Sequence, residues 1–144
     1  CCSNMRLMID TQIFVFLAQD VLSLSHDVRE LLSDYSNTLH ISAESVKELI
    51  VAYNNKRLFT NKWKSAEEMV AAIEDEYYVK ILPLGKEHMN TYSRLSINSI
   101  DDHKDPSDHV IISHAITNKM PLISSDQRFP YYTEQGLDLI FNKR

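Results

Sequence analysis

The sequence has 144 residues, 44% hydrophobic and 24% charged, with only 2 Gly and 4 Pro, which excludes a disordered or fibrous chain and is enough to bury one core without cross-links. Its formal net charge of −5 excludes binding to nucleic acid through overall positive charge, so a polyanion must be met by local basic groups or bound cations. No apolar run reaches the ~18 residues that cross a bilayer and no basic-then-apolar leader is present, so a cytoplasmic protein with no membrane partner is expected.

In chain order, Cys1 and Cys2 come first; adjacent and alone, they cannot staple the fold, which fits a reducing compartment. Met5 directly precedes the first strand-like run, so residues 1–4 read as an N-terminal extension and residues 5–144 as a single domain. Arg6–Ile9 reads as a buried strand, and after Asp10 an apolar helix carries Ile13, Phe14, Phe16 and Leu17. Val28, Leu31, Leu32 and Tyr35 repeat at helical spacing within Ser25–Tyr35. Leu39–Ile41 is a short strand, and Ser42 caps a helix striped by Val46, Leu49, Ile50 and Tyr53. Ser65 and Glu68 form a reciprocal capping box ahead of Met69, Val70 and Ile73. Tyr78–Leu82 reads as a strand, Lys86–Ser96 and Pro106–Lys119 as helices, and Pro121–Ser124 and Leu137–Phe141 as strands.

Strands alternating with crossover helices predict an α/β fold, a three-layer α/β/α arrangement with a mainly parallel central sheet. Ligands of such sheets bind beyond the carboxyl ends of the strands, where Asp10 and Asp126 fall. Each is also explained singly as a cap or turn residue. Asp105, Pro106 and Asp108 satisfy the rules for a helix start, with Asp105 as cap and Asp108 in the first turn, yet capping accounts for only one of the two acids. Glu48 lies opposite its helix's apolar stripe beside Glu44, and helical periodicity does not choose between them. Converging carboxylates without clustered Cys or His favour a hard cation such as Mg²⁺, with Mn²⁺ as substitute. Like charges sharing one cleft raise the pKa of at least one of them.

Four segments carry a family likeness: Leu7-Met-Ile-Asp10-Thr11, Ser42-Ala-Glu-Ser-Val-Lys-Glu48, His103-Lys-Asp-Pro-Ser-Asp-His-Val-Ile-Ile112, and Pro121-Leu-Ile-Ser-Ser-Asp126 followed by Phe129 and Tyr131. In this order they resemble PIN-domain nucleases, especially the VapC-type toxins of type II toxin–antitoxin systems. The resemblance implies a metal site of Asp10, Glu48, Asp108 and Asp126, choosing Glu48 over Glu44, with Ser124 as a supporting hydroxyl and Asp105 ordering the helix start or backing the acids. It also implies an Mg²⁺-dependent endoribonuclease that cleaves RNA with a metal-activated water, a cognate antitoxin that covers the site, and a homodimer. Ser107 and His109 depart from the family pattern, standing where a bulky aromatic and an arginine are expected.

His103, His109 and His114 read as hydrogen-bonding support or packing before they read as bases or ligands. Lys56, Arg57, Lys62, Trp63 and Lys64 form a basic and aromatic cluster, either a solvated surface or an RNA or antitoxin contact with Trp63 free to stack. Asp10-Thr11-Gln12 lacks the second acid of an aspartate-nucleophile phosphohydrolase, and Ser124-Ser125-Asp126 lacks the lysine of a phosphoacceptor domain. The alternative to a nuclease is a degenerate PIN domain that serves as a non-catalytic binding module.

Overall fold

In the computed structural model, which describes residues 4–144, the apolar run Arg6–Ile9 forms strand β1, fully buried from Leu7 onward. The reading of residues 1–4 as an extension lies, for its first three residues, outside the described residues. Helix α1 (Thr11–Gln19) follows, then α2 (His26–Ser33), β2 (Thr38–Ser42), α3 (Ala43–Asn54), α4 (Ala66–Asp75) and β3 (Val79–Leu82). The second half adds α5 (Lys86–Arg94), α6 (Pro106–Asn118), β4 (Leu122–Ser124) and β5 (Leu139–Phe141). Two short 3₁₀ turns, Val21–Ser23 and Pro130–Gln135, were not expected from the apolar pattern, which such short pieces are too brief to display.

The sheet is wholly parallel, in the order β3-β2-β1-β4-β5. Side chains alternate across β1, so Leu7 and Ile9 join the core on one face and Met8 the core on the other. The first face is covered by α1 through Ile13 and Phe14, α2 through Val28, α3 through Val46 and Leu49, and α4 through Met69 and Ile73. The second is covered by α6 through Ile111, Ile112 and Ala115, with Phe129, Tyr132 and Leu137 filling the space beside it. Helices lie on both faces, which makes the three layers.

Helix starts follow their sequence signals closely. Ser25, Ser42 and Ser65 accept from the free amides of Val28, Glu44 and Glu68 at 3.3, 3.1 and 3.0 Å. The expected capping box at α4 is half formed, because the Glu68 carboxylate accepts from Lys64 N–H at 2.8 Å instead of from the Ser65 amide. Tyr35 does not extend the α2 stripe: the helix stops at Ser33 and Tyr35 is fully exposed. Strand β3 begins at Val79, one residue later than expected, since Tyr78 has a left-handed φ of 56°.

The order of the sheet reverses between β1 and β4: the chain runs outward from β1 through β2 to β3, then returns to β4 on β1's other side. Crossovers diverge at such a point, which opens a crevice at the carboxyl ends of the two strands.

Candidate active site

The crevice is a cleft of about 340 Å³ lined by Asp10, Thr11, Gln12, Glu48, Asp105, Asp108, Ser125, Asp126, Arg128 and Arg144. A larger cavity of about 810 Å³ lies at the opposite, amino end of β1–β3, and among the described residues Asp34 is its one acidic lining residue. Volume alone would favour that cavity; the converging titratable groups lie in the smaller one.

Asp10 leaves β1 and caps α1, its Oδ1 accepting from Ile13 N–H at 2.9 Å. The Ser124 hydroxyl also donates to its carboxylate. Burial is the main reason its pKa is pushed up to about 7, and the nearby charges of Asp108 and Asp126 add to it, against the two hydrogen bonds that favour the anion. Asp108 is likewise pushed up to about 7, by burial first and then by the charges of Asp105, Asp126 and Glu48. Both acids therefore keep a proton far more readily than free carboxyls do.

Glu48 is half-buried, not on a solvated face. Thr11 of α1 donates its hydroxyl to Glu48 Oε1 at 2.5 Å, while burial and the charges of Asp105 and Glu44 raise the Glu48 pKa. Glu44 is drawn aside: Ser107 donates to its Oε2 at 2.8 Å and Lys47 Nζ lies 2.5 Å from the same oxygen. Periodicity cannot choose between the two acids because it treats one side of α3 as core and the other as solvent, whereas α3 also meets α1 and α6. Ser107 thus bonds the neighbouring acid, which does not line the cleft.

Asp105 caps α6, its Oδ1 accepting from Ser107 N–H at 3.0 Å and Asp108 N–H at 3.4 Å. Capping does not remove it from the cleft, for Glu48, Asp105 and Asp108 each place a carboxylate oxygen within 4.8 Å of the others. A second trio, His103, Asp108 and Asp126, meets the same condition. Among the described residues Asp10 belongs to neither trio, although it lines the same cleft. The donors are mostly carboxylate oxygens around an excess of negative charge, the set that a hard divalent cation fits.

His103 is buried behind Asp108. Tyr132 OH accepts from Asn98 N–H at 3.0 Å and so has its own proton to give His103 Nδ1, 2.9 Å away. That leaves the imidazole proton on Nε2, directed at Asp108 Oδ2 at 3.0 Å. Burial, then the charge of Arg128, lowers the His103 pKa, which favours a hydrogen bond from the neutral ring over an ion pair. His109 is buried against His103 with ring centres 4.6 Å apart, and His114 receives or gives a hydrogen bond at Ser42 Oγ, 2.8 Å away, and does not line the cleft. Burial and His88 push the His114 pKa down to about 4.

Arg128 was not anticipated. Its Nε and Nη2 donate to Asp126 Oδ1 and Oδ2 at 3.0 and 2.7 Å, and its backbone N–H also donates to Oδ1 at 2.8 Å. Burial pushes the Asp126 carboxyl up, but these bonds and the guanidinium charge outweigh it and hold the pKa below the usual value. Ser124 Oγ accepts from Asp126 N–H at 3.0 Å, so one hydroxyl touches both strand-end acids. An Asp followed two residues on by a free N–H is the signal of an Asx turn, and it could have placed Arg128 beside Asp126. Arg144, the other cation of the cleft, stacks over Phe16 at 4.8 Å and has no comparable local signal.

Lys56, Arg57, Lys62, Trp63 and Lys64 do not line the cleft. Trp63 is not free to stack: it packs edge-on to Phe59 and Tyr77, at 5.0 and 6.3 Å, with Lys62 Nζ 5.4 Å over its ring. It anchors the connection between α3 and α4 to the core by packing into the aromatic group around Phe14.

Fold and cleft together define a parallel α/β domain with an acidic crevice at the switch point of its sheet. The pattern that defines the PIN domain matches residues 7–134, and the chain belongs to that family. No curated protein matches it significantly. Among solved structures it is similar to VapBC2 from Rickettsia felis bound to a DNA fragment from its promoter, with 19% identity, 96% of this chain and 100% of that chain covered, and a TM-score of 0.71. VapBC-1 from nontypeable Haemophilus influenzae gives 21% identity, 95% and 98% coverage, and a TM-score of 0.65. VapBC-5 from Mycobacterium tuberculosis, a member of a family of toxin–antitoxin systems, gives 18% identity, 96% and 98% coverage, and a TM-score of 0.59.

Proposed function

We propose that this PIN domain is an Mg²⁺-dependent endoribonuclease, the toxin of a toxin–antitoxin pair. The observation that carries the reading is the convergence of Asp10, Glu48, Asp105, Asp108 and Asp126 on one cleft at the sheet's switch point. When bound there, Mg²⁺, or Mn²⁺ in its place, would supply Lewis acidity toward a phosphodiester and the positive charge that lets these carboxylates ionise together. The chain's own residues do the rest. Ser124 and Thr11 orient Asp10 and Glu48, His103 holds Asp108 in place from behind, and Arg144 stands at the cleft for a phosphate of the RNA backbone.

The similar structures are VapBC complexes, which supports an antitoxin as partner. A basic side chain of that partner, entering among the carboxylates, would compete with the cation. The setting is cytoplasmic and the active form a homodimer. Among the described residues no helix is long and apolar enough to cross a membrane.

Incubating the purified protein with total RNA, with and without Mg²⁺, and mapping the new ends tests the reading. Discrete cleavage that requires Mg²⁺ and disappears in Asp10→Asn is expected, and RNA left intact under every condition would sink it. One observation favours the second reading, a non-catalytic binding module: Arg128 already occupies both oxygens of Asp126. A module should show no carboxylate-dependent Mn²⁺ binding.

A further inference from the structure

Helix capping does not account for Arg128, which lies outside the helices. Its guanidinium spans both oxygens of Asp126 and brings Nη2 within 3.6 Å of Asp108 Oδ2, an oxygen that also faces His103. Asp108 and Asp126 both line the cleft, so the guanidinium holds one carboxylate and neighbours the other where a cation bridging the two would need their oxygens. The two cannot share the place. A guanidinium has donors only and cannot ligate a metal, and its charge repels one.

Arg128 is also built to leave. Its side chain is 38% exposed and bonds to a residue only two positions away, so releasing Asp126 separates no packed elements. The trio of Glu48, Asp105 and Asp108 has no arginine bonded to Glu48 or Asp105 among the contacts of the described residues. We infer that Arg128 is an internal counter-ion that competes with a divalent cation for Asp126 and Asp108, and so sets the cation concentration at which the cleft loads. The inference rests on the reading of the cleft as a metal site.

Calorimetric titration of the metal-free full chain with Mn²⁺ alone tests it, using the parent, R128Q and R128K. Glutamine removes the charge and the fork, and R128Q should bind Mn²⁺ about tenfold more tightly, the equivalent of one charge-assisted hydrogen bond no longer opposing the ion. Lysine keeps a point charge without the fork, so R128K should fall between, and it carries the test if R128Q does not fold. In a D126N background the R128Q change should disappear. A second readout is the Arg128 Nε resonance in the parent, which should lose its hydrogen-bonded shift as Mg²⁺ is added. If the parent binds Mn²⁺ and R128Q binds it equally or more weakly, Arg128 orients Asp126 instead of competing, and this inference falls while the metal reading stands. If neither chain binds Mn²⁺, both fall.

Discussion

Asp10 and Asp126 end neighbouring strands of one sheet and share a hydroxyl at Ser124, yet their charges are treated in opposite ways. Asp10 is buried without a cation bonded to it and is pushed up to about 7; Asp126 is held by Arg128 and kept below the usual carboxylate range. Strand position therefore delivers an acid to the cleft without deciding its protonation. Burial decides that on one flank and a local Asx turn on the other.

The largest expected effects come from removing one charge on each flank. Asp10→Asn and Asp126→Asn should each lower RNA cleavage by orders of magnitude if the acids hold the cation, but their stabilities should move in opposite directions. Without metal at pH 8, Asp10→Asn relieves a buried unneutralised charge and should melt higher than the parent, since Asn can still accept from Ile13 N–H. Asp126→Asn strips the partly exposed Arg128 of its counter-charge and should cost about 1 kcal/mol. Calorimetric melting of both variants beside the parent checks the signs, and equal shifts would erase the comparison.

Asp108 joins the two flanks. Asp108→Asn keeps the shape and should fold, yet cleavage should again drop by orders of magnitude, with partial recovery in excess Mn²⁺. Near-parental cleavage by a well-folded variant would return Asp108 to a first-turn anion worth only ~0.3–1 kcal/mol.

The pH dependence is a gentler probe. Asp10 and Asp108 have folded pKa values of about 7, above the ordinary 3.8, so the folded state binds extra protons between those values. Their stabilising protonation is fully present below pH 3.8 and is lost as the pH rises through about 7. Metal-free protein should therefore melt progressively lower from pH 5 to pH 8, with a shallower fall in the Asp10→Asn/Asp108→Asn double variant. Mn²⁺ should restore the parent most strongly at pH 8. A flat profile in the metal-free parent would mean that the acids are not coupled as described.

The smallest effect tests the outer edge of the cleft. Thr11→Val removes the hydroxyl that Glu48 accepts and should cost about 1 kcal/mol, with a modest loss of cleavage and a further rise in the Glu48 pKa. An unchanged Glu48 titration by NMR would show that Thr11 does not orient it.

Local chemistry made much of the molecule legible in the sequence. Ser25, Ser42, Ser65 and Asp105 announce their helices because a cap is satisfied within three residues, and the short apolar strands follow from two-sided burial in a parallel sheet. Asp10 and Asp126 were recognisable as strand-end acids for the same reason. What only the tertiary structure decided depends on groups far apart in the chain. Glu48 faces the cleft because Thr11, 37 residues away, bonds it, and Glu44 turns aside because Ser107, 63 residues away, claims it. Trp63 is drawn inward by Phe59 and Tyr77, and His103 is set behind Asp108 by Tyr132. Periodicity describes one helix against one core; charge, proton and ligand geometry depend on every element that closes around a side chain, and these meet only when the chain is folded.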